Sequence, residues 1–307
     1  MTALGWLLVY AAHIVLLPLL LIGLLRKVKA RLQGRTGPPI SQPFRDIAKL
    51  LRKGETISET SGPAFAYGPL IGAGAVVAVA LMTPWLGLPS PIAGDLILAV
   101  YVLALGKFCM SLAALDPGSS FGALGASREA AVSVQTEPAM LLGLAALAAH
   151  AHSPAFADFM RPVTGAELDL STAILAVLAA TAVWMAAIAE LSRMPVDDPT
   201  THLELTMVHE ALILENSGRN LAVIEYTVAL KTMVLLGLAS QIVLLMLPRQ
   251  PAATAYLLSV GLLLAAVLVI SVSETVLVKL RWRRVPNLLS FAIGAGVLAC
   301  VFVALKG

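Results

Sequence analysis

Eight apolar stretches approach or exceed the roughly 20 residues that carry an α-helix across the hydrocarbon core of a bilayer. They lie at about 3–25, 67–88, 95–115, 131–152, 170–190, 221–247, 254–278 and 285–305, and together they occupy most of a 307-residue chain. In hydrocarbon a backbone N–H or C=O finds no water, so such segments fold as helices whose hydrogen bonds close within each segment. The expected fold is all-α: one integral membrane domain over residues 1–307, polytopic, with about eight transmembrane helices and short cytoplasmic amphipathic helices between them. Only 13% of the residues are charged, and they gather in four junction segments, 26–62, 116–130, 191–220 and 279–285.

Lys and Arg counting orients the bundle. Sixteen of the 21 basic residues fall on one side, including the run from Arg26 to Lys53 and the group Lys279, Arg281, Arg283 and Arg284. Arg161, Arg249 and Lys306 fall on the other, and Lys107 and Lys231 fall inside spans. The basic side is expected in the cytoplasm and both termini outside it, in the cytoplasmic (inner) membrane. The net charge of +3 follows from this asymmetry and gives no reason to invoke nucleic acid. In the first span the basic residues follow the apolar run, the reverse of a cleaved signal, so the span is expected to remain in the mature protein. Cys109 and Cys300 stand far apart in apolar segments. They fit neither a disulfide framework nor the ligand set of an iron–sulfur cluster, so no redox centre is expected on this chain.

After the first span, Gly34, Gly37, Pro38 and Pro39 interrupt helix formation. A helical pattern resumes at Ser41 as a cap, with Pro43 in the first turn and Phe44, Ile47, Ala48 and Leu51 on one face. Arg45, Asp46, Lys49, Arg52 and Lys53 take the other face. This reads as a helix lying in the cytoplasmic interface, where it anchors to anionic lipid, grips a soluble partner, or does both. Residues 116–120 and 122–129 are polar and Gly-rich and read as a loop.

The densest polar segment runs from Ala189 to Glu215 and holds Glu190, Arg193, Asp197, Asp198, His202, Glu204, His209, Glu210 and Glu215. Asp198 followed by Pro199 predicts a helix start, and Asn216-Ser217-Gly218 predicts its stop, with the glycine left-handed. On that helix His202 and His209 share one face while Glu204 and Glu215 share a nearly opposite one, which argues against a metal site formed by this helix alone. Ionisable residues also lie within the spans: His13, Lys107, Glu137, Glu225, Lys231 and Glu274. Charges at such depth cost on the order of 3 kcal/mol each and face a bundle interior or a hydrated cavity. Lys107 and Glu137 lie at similar depth, so a fixed ion pair between them is one reading. The other is a proton half-channel through Glu137, Glu190 and Glu225, opening at the acidic loop.

Several segments together resemble a known family. They are Arg31 to Pro38 with the following Phe44-Arg45-Asp46-Ile47-Ala48-Lys49-Leu50; Gly125-Ala126-Ser127-Arg128-Glu129 with Glu137-Pro138; and Glu190 to Asp197 with Pro195-Val196-Asp197. Over nearly its whole length the chain resembles the membrane subunit shared by respiratory complex I (its subunit 1 family) and by energy-converting nickel–iron hydrogenases, including hydrogenase-4 and formate hydrogenlyase. Asp116 to Ser119, the Gly125 to Glu129 motif and the stretch from Pro195 to Glu210 look like the hydrogenase branch. Val196, Thr200 and His202 stand where complex I members carry phenylalanine and glutamates, a departure that disfavours a quinone pocket.

The resemblance implies a subunit not catalytic alone, which holds a soluble redox arm on the membrane and couples its chemistry to proton or sodium movement. Arg31, Arg35, Arg45, Arg128, Glu129, Arg193, Asp197 and Asp198 would form the docking and coupling junction. Glu137, Glu190, Glu204, Glu215 and Glu225 would be relay carboxylates, joined by Lys107, Lys231, His202 and His209. It implies no cofactor on this chain; the nickel–iron centre and iron–sulfur clusters would belong to soluble hydrogenase-like large and small subunits and iron–sulfur subunits on the cytoplasmic side. Antiporter-like membrane subunits and lipid complete the expected partners. Two other functions remain open: a quinone-site subunit of a complex I-like NADH or ferredoxin dehydrogenase, and a free-standing ion transporter, although no internal repeat of the kind transporters carry is evident.

Overall fold

The computed structural model describes residues 3–83, 90–159, 170–197, 207–247 and 252–306. Its helices are α1 (Ala3–Leu32), α2 (Gln42–Arg52), α3 (Pro63–Met82), α4 (Leu96–Leu115), α5 (Ser120–His150), α6 (Phe156–Phe159), α7 (Leu170–Glu190), α8 (His209–Ile213), α9 (Gly218–Leu244), α10 (Ala252–Val276) and α11 (Val285–Lys306), with a 3-10 turn at Trp282–Arg284. Among the described residues eight helices are long and apolar enough to span a membrane. They are the eight expected from the apolar runs, and the protein is an all-α polytopic membrane protein. Leu, Ala and Val fill most faces of these helices, so the chain is apolar on both its inner and its lipid-facing sides.

α9 is the most enclosed span, packed by α1, α2, α3, α7 and α10, while α11 lies against α5 and α7. Residues Met233, Val234, Leu235 and Leu236 of α9 are fully buried, as are Ala179 and Val183 of α7. Small residues on α7 let the backbones approach closely, the means by which helices associate where no hydrophobic driving force separates protein from lipid.

Helix ends are tied by polar side chains from other segments. Asp116, in the turn after α4, accepts from the N–H groups of Gly62 (2.6 Å) and Phe65 (2.9 Å) and so caps α3. Glu55 accepts from Asn220 N–H (3.0 Å) at the start of α9, and Ser217 Oγ accepts from Thr56 N–H (2.9 Å). A carboxylate at a helix N-terminus satisfies orphan donors and meets the positive end of the helix dipole.

Four expectations change. Gly122 to Glu129 is helix, not loop: Ser119 Oγ accepts from Gly122 N–H (3.0 Å), and this cap starts a helix of 31 residues. The first helix runs on past its apolar stretch to Leu32, so Lys27, Lys29 and Arg31 extend from it as a rigid basic end. α2 forms where its pattern placed it, but its Phe44 and Ile47 pack on Leu19 and Ile22 of α1 and Ala229 of α9, so part of its apolar face meets protein and not lipid. In the polar segment the described helix is short and ends at Ile213; Gly218 has the expected positive φ (+51°), yet it begins α9. The predicted start at Asp198 lies outside the described residues.

Close approach fixes Gly23. A Cβ built on Gly23 of α1 would overlap the carbonyl oxygen of Ile40, so the segment before α2 rests directly on the α1 backbone.

Candidate functional site

Glu190, the last residue of α7, lies between two lysines from other spans. Lys107 of α4 approaches one carboxylate oxygen at 2.8 Å and Lys231 of α9 the other at 2.6 Å. Its side chain is only 4% exposed, so these pairs act in a poorly screened interior. Lys107 also reaches Glu137 at 3.0 Å and donates to Ser133 Oγ at 2.9 Å, while Thr136 donates to Glu190 at 3.3 Å. The Lys107–Glu137 pair anticipated from depth is present, but Lys107 divides itself between two carboxylates.

Glu190 and its two lysines face a cavity of about 70 Å³, whose polar wall also holds Glu129 and His209. At roughly 10–15 Å³ for each water centre it has room for a few water molecules. Glu129 is buried and has no hydrogen bond or ion pair within reach among the described residues; its carboxylate lines the cavity instead. Three carboxylates, Glu129, Glu137 and Glu190, therefore share two ammonium groups. With all ionised the cluster carries one surplus negative charge, and a single proton neutralises it.

The turn after α7 fixes this cluster from below. Arg193 donates from Nη1 to Glu274 Oε1 at 3.1 Å, and the other oxygen of Glu274 pairs with Lys29 at 3.1 Å. Four residues on, Asp197 pairs with Lys279 and accepts from the N–H groups of Val208 (3.2 Å) and His209 (3.4 Å). Arg128 donates to Met207 O at 2.6 Å with its guanidinium over the Trp282 ring at 5.7 Å. The segment carrying His209 is thus held at Met207 and Val208 from two sides. Burial, then the positive charges of Lys231 and Arg193, pull the His209 pKa down from 6.5 to about 4 against the opposing pull of Asp197. Its imidazole is therefore neutral near pH 7.

The other expected residues fall into three groups. Arg31, Arg35 and Arg45 are exposed at the basic end and suit a docking surface. Arg193, Asp197 and Glu129, expected at that surface, turn inward, because α10, the segment after it and the spans themselves supply their counterions or the cavity they face. Glu215 is exposed, and Glu225 is half-exposed, 3.7 Å from Arg26 in a separate groove, so neither adjoins the buried cluster. Asp198, His202 and Glu204 lie outside the described residues. Sequence reading did not assign roles to Lys29, Glu274 and Lys279; the available signal was the position of Glu274 inside an apolar run with basic residues on either side. Among the described residues no three His, Cys, Asp or Glu side chains gather as a metal site.

The family profile described as NADH dehydrogenase matches residues 5–304. Formate hydrogenlyase subunit 4 of Escherichia coli is 33% identical over 292 residues, covering 92% of each chain. Hydrogenase-4 component C of the same organism is 31% identical over 312 residues, covering 97% of this chain and 96% of the relative. A chain in the structure of the membrane-bound sulfane sulfur reductase, an archaeal respiratory membrane complex, superposes with a TM-score of 0.82 at 20% identity over 98% of both chains, which is a likeness of fold.

Proposed function

The chain belongs to the NADH dehydrogenase subunit 1 family, and from that premise we propose that it is the non-catalytic membrane subunit of a hydrogenase-4 or formate hydrogenlyase type complex. In this reading it anchors a soluble redox arm and couples electron transfer there to proton movement through its buried charges. The names of the two Escherichia coli relatives support the type of complex. The observation that carries the coupling role is the placement of Glu190 between Lys107 and Lys231 on a cavity of water-sized dimensions that Glu129 also lines, with Glu137 paired to Lys107.

The mechanism follows from position. Glu190 ends a span, and the next seven residues form the turn clamped by Glu274 and Lys279. A redox-driven shift of that turn moves Glu190 against its lysines. Lengthening a 2.8 Å pair by about 3 Å weakens the attraction by roughly 3 kcal/mol at an effective dielectric constant near 20, enough to change proton occupancy about a hundredfold. Glu129, with no lysine of its own, takes or releases the proton, and neutral His209 receives it at the junction side. The exposed Arg31, Arg35 and Arg45 meet soluble subunits on the cytoplasmic face, with both termini on the opposite side. Nickel–iron and iron–sulfur centres belong to those partners, and antiporter-like subunits carry ions further along the membrane.

The test is Glu190→Gln in the intact complex reconstituted in vesicles. Electron transfer between soluble substrates should persist while coupled proton uptake falls by more than tenfold. Full coupling in an assembled Glu190→Gln complex would refute the relay.

A further inference from the structure

A second cavity, of about 280 Å³, opens between α1, α2 and α9 at the basic end of the bundle. Its polarity is layered with depth. Arg26 on α1 and Glu225 on α9 form the upper wall, and one turn deeper on the same two helices stand Ile22 and Ala229, with Leu19 below. One helical turn is about 5.4 Å, so the change from charged to apolar wall takes place within the thickness of a lipid headgroup. α2 roofs the opening with Asp46 and Lys49, joined by Lys53 just past its end.

The charges on the rim are not equally engaged. Asp46 accepts from Gln42 Nε2 at 2.8 Å and from Arg26 at 3.3 Å, and Arg26 also lies 3.7 Å from Glu225. Lys49 and Lys53 are exposed and make no hydrogen bond or ion pair among the described residues. Lys49 lies in the last turn of α2 and Lys53 caps the helix end, so both stand at the same end of it on the rim. Counting Arg26, Lys49 and Lys53 against Asp46 and Glu225, the rim carries one net positive charge.

We propose that this cavity binds one anionic phospholipid of the phosphatidylglycerol class. The phosphate sits between Lys49 and Lys53, and the headgroup hydroxyls donate to Asp46 and Glu225. An acyl chain descends past Leu19 and Ile22 along the lipid-facing side of α1, where Leu16 and Leu20 are exposed. A free phosphate would leave the apolar floor uncovered, and a zwitterionic lipid would leave the net positive charge uncompensated. Basic pockets between spanning helices are suited to such headgroups. The bound lipid wedges α2 against α1 and α9, and this role is independent of the coupling reading above.

The test uses the whole complex, isolated in mild detergent through a tag on this chain and washed extensively, with retained lipid quantified by mass spectrometry. About one phosphatidylglycerol per chain should survive the wash, and the double variant Lys49→Ala/Lys53→Ala should weaken its retention on the order of 30-fold, at about tenfold or less for each lysine. Asp46→Asn should strengthen retention, an effect opposite to that of a merely damaged fold. Adding phosphatidylglycerol to delipidated complex should raise its thermal stability, and inorganic phosphate should not. Equal retention of zwitterionic lipid, retention indifferent to the lysines, or stabilisation by inorganic phosphate alone would each overturn the proposal.

Discussion

Arg193 and Glu274 form a buried ion pair 3.1 Å long between residues 81 positions apart in the chain. The pair joins the turn after α7 to the end of α10, and Lys29 extends it to α1. Removing one partner from such a group leaves the others desolvated and uncompensated, at a cost of about 3–5 kcal/mol. Glu274→Gln should therefore lower the thermal midpoint of the purified complex by several degrees, whereas Glu274→Asp, which keeps the charge, should lose less. Equal midpoints for wild type and Glu274→Gln would show that Arg193 needs no partner there.

Glu137 and Glu190 share Lys107 but are not equivalent. The Glu137 side chain is 34% exposed against 4% for Glu190, and Glu190 alone also holds Lys231. Glu137→Gln leaves Lys107 paired, so its effect on stability should stay within about 1 kcal/mol, and coupling should fall less than in Glu190→Gln. Parallel measurement of vesicle acidification in the two variants checks the order; a larger loss for Glu137→Gln would reverse the assignment.

His209 predicts a pH dependence of definite sign. Its pKa is about 4 in the folded chain and about 6.5 when unfolded. Between these values the unfolded chain binds a proton that the folded chain refuses. The contribution is complete above pH 6.5 and is lost progressively as the pH falls towards 4, by up to about 3 kcal/mol. His209→Gln should flatten this part of the stability curve, seen as a smaller drop in thermal midpoint between pH 7 and pH 5; an unchanged slope would place the titration on another group.

The spans were legible because lipid demands about 20 apolar residues in a row, a requirement written directly in sequence. α2 was legible through Phe44 and Ile47, though not what they touch, since periodicity gives a face and no partner. Gly122, Ser127, Arg128 and Glu129 misled: polar residues suggest a loop, but Ser119 caps them into helix. In the site, depth along each span anticipated that Lys107 and Glu137 could meet. It could not reveal that Lys231 also converges on Glu190, because rotation about a helix axis is set by packing with its neighbours. Arg193 and Asp197 read as surface groups for a related reason: their counterions, Glu274 and Lys279, come from much later in the chain.

The contact of Gly23 with Ile40 has a consequence for assembly. Arg35 lies in the connection between α1 and α2 that follows Arg31 at the end of α1, and that connection is seated on Gly23, where α1 has no side chain. A single methyl group at residue 23, inside the apolar run and a turn before Arg26, would lift the whole platform. The outline of the proposed docking surface is thus drawn from within the membrane, and on that proposal a lesion there would register as failed recruitment and not as lost chemistry.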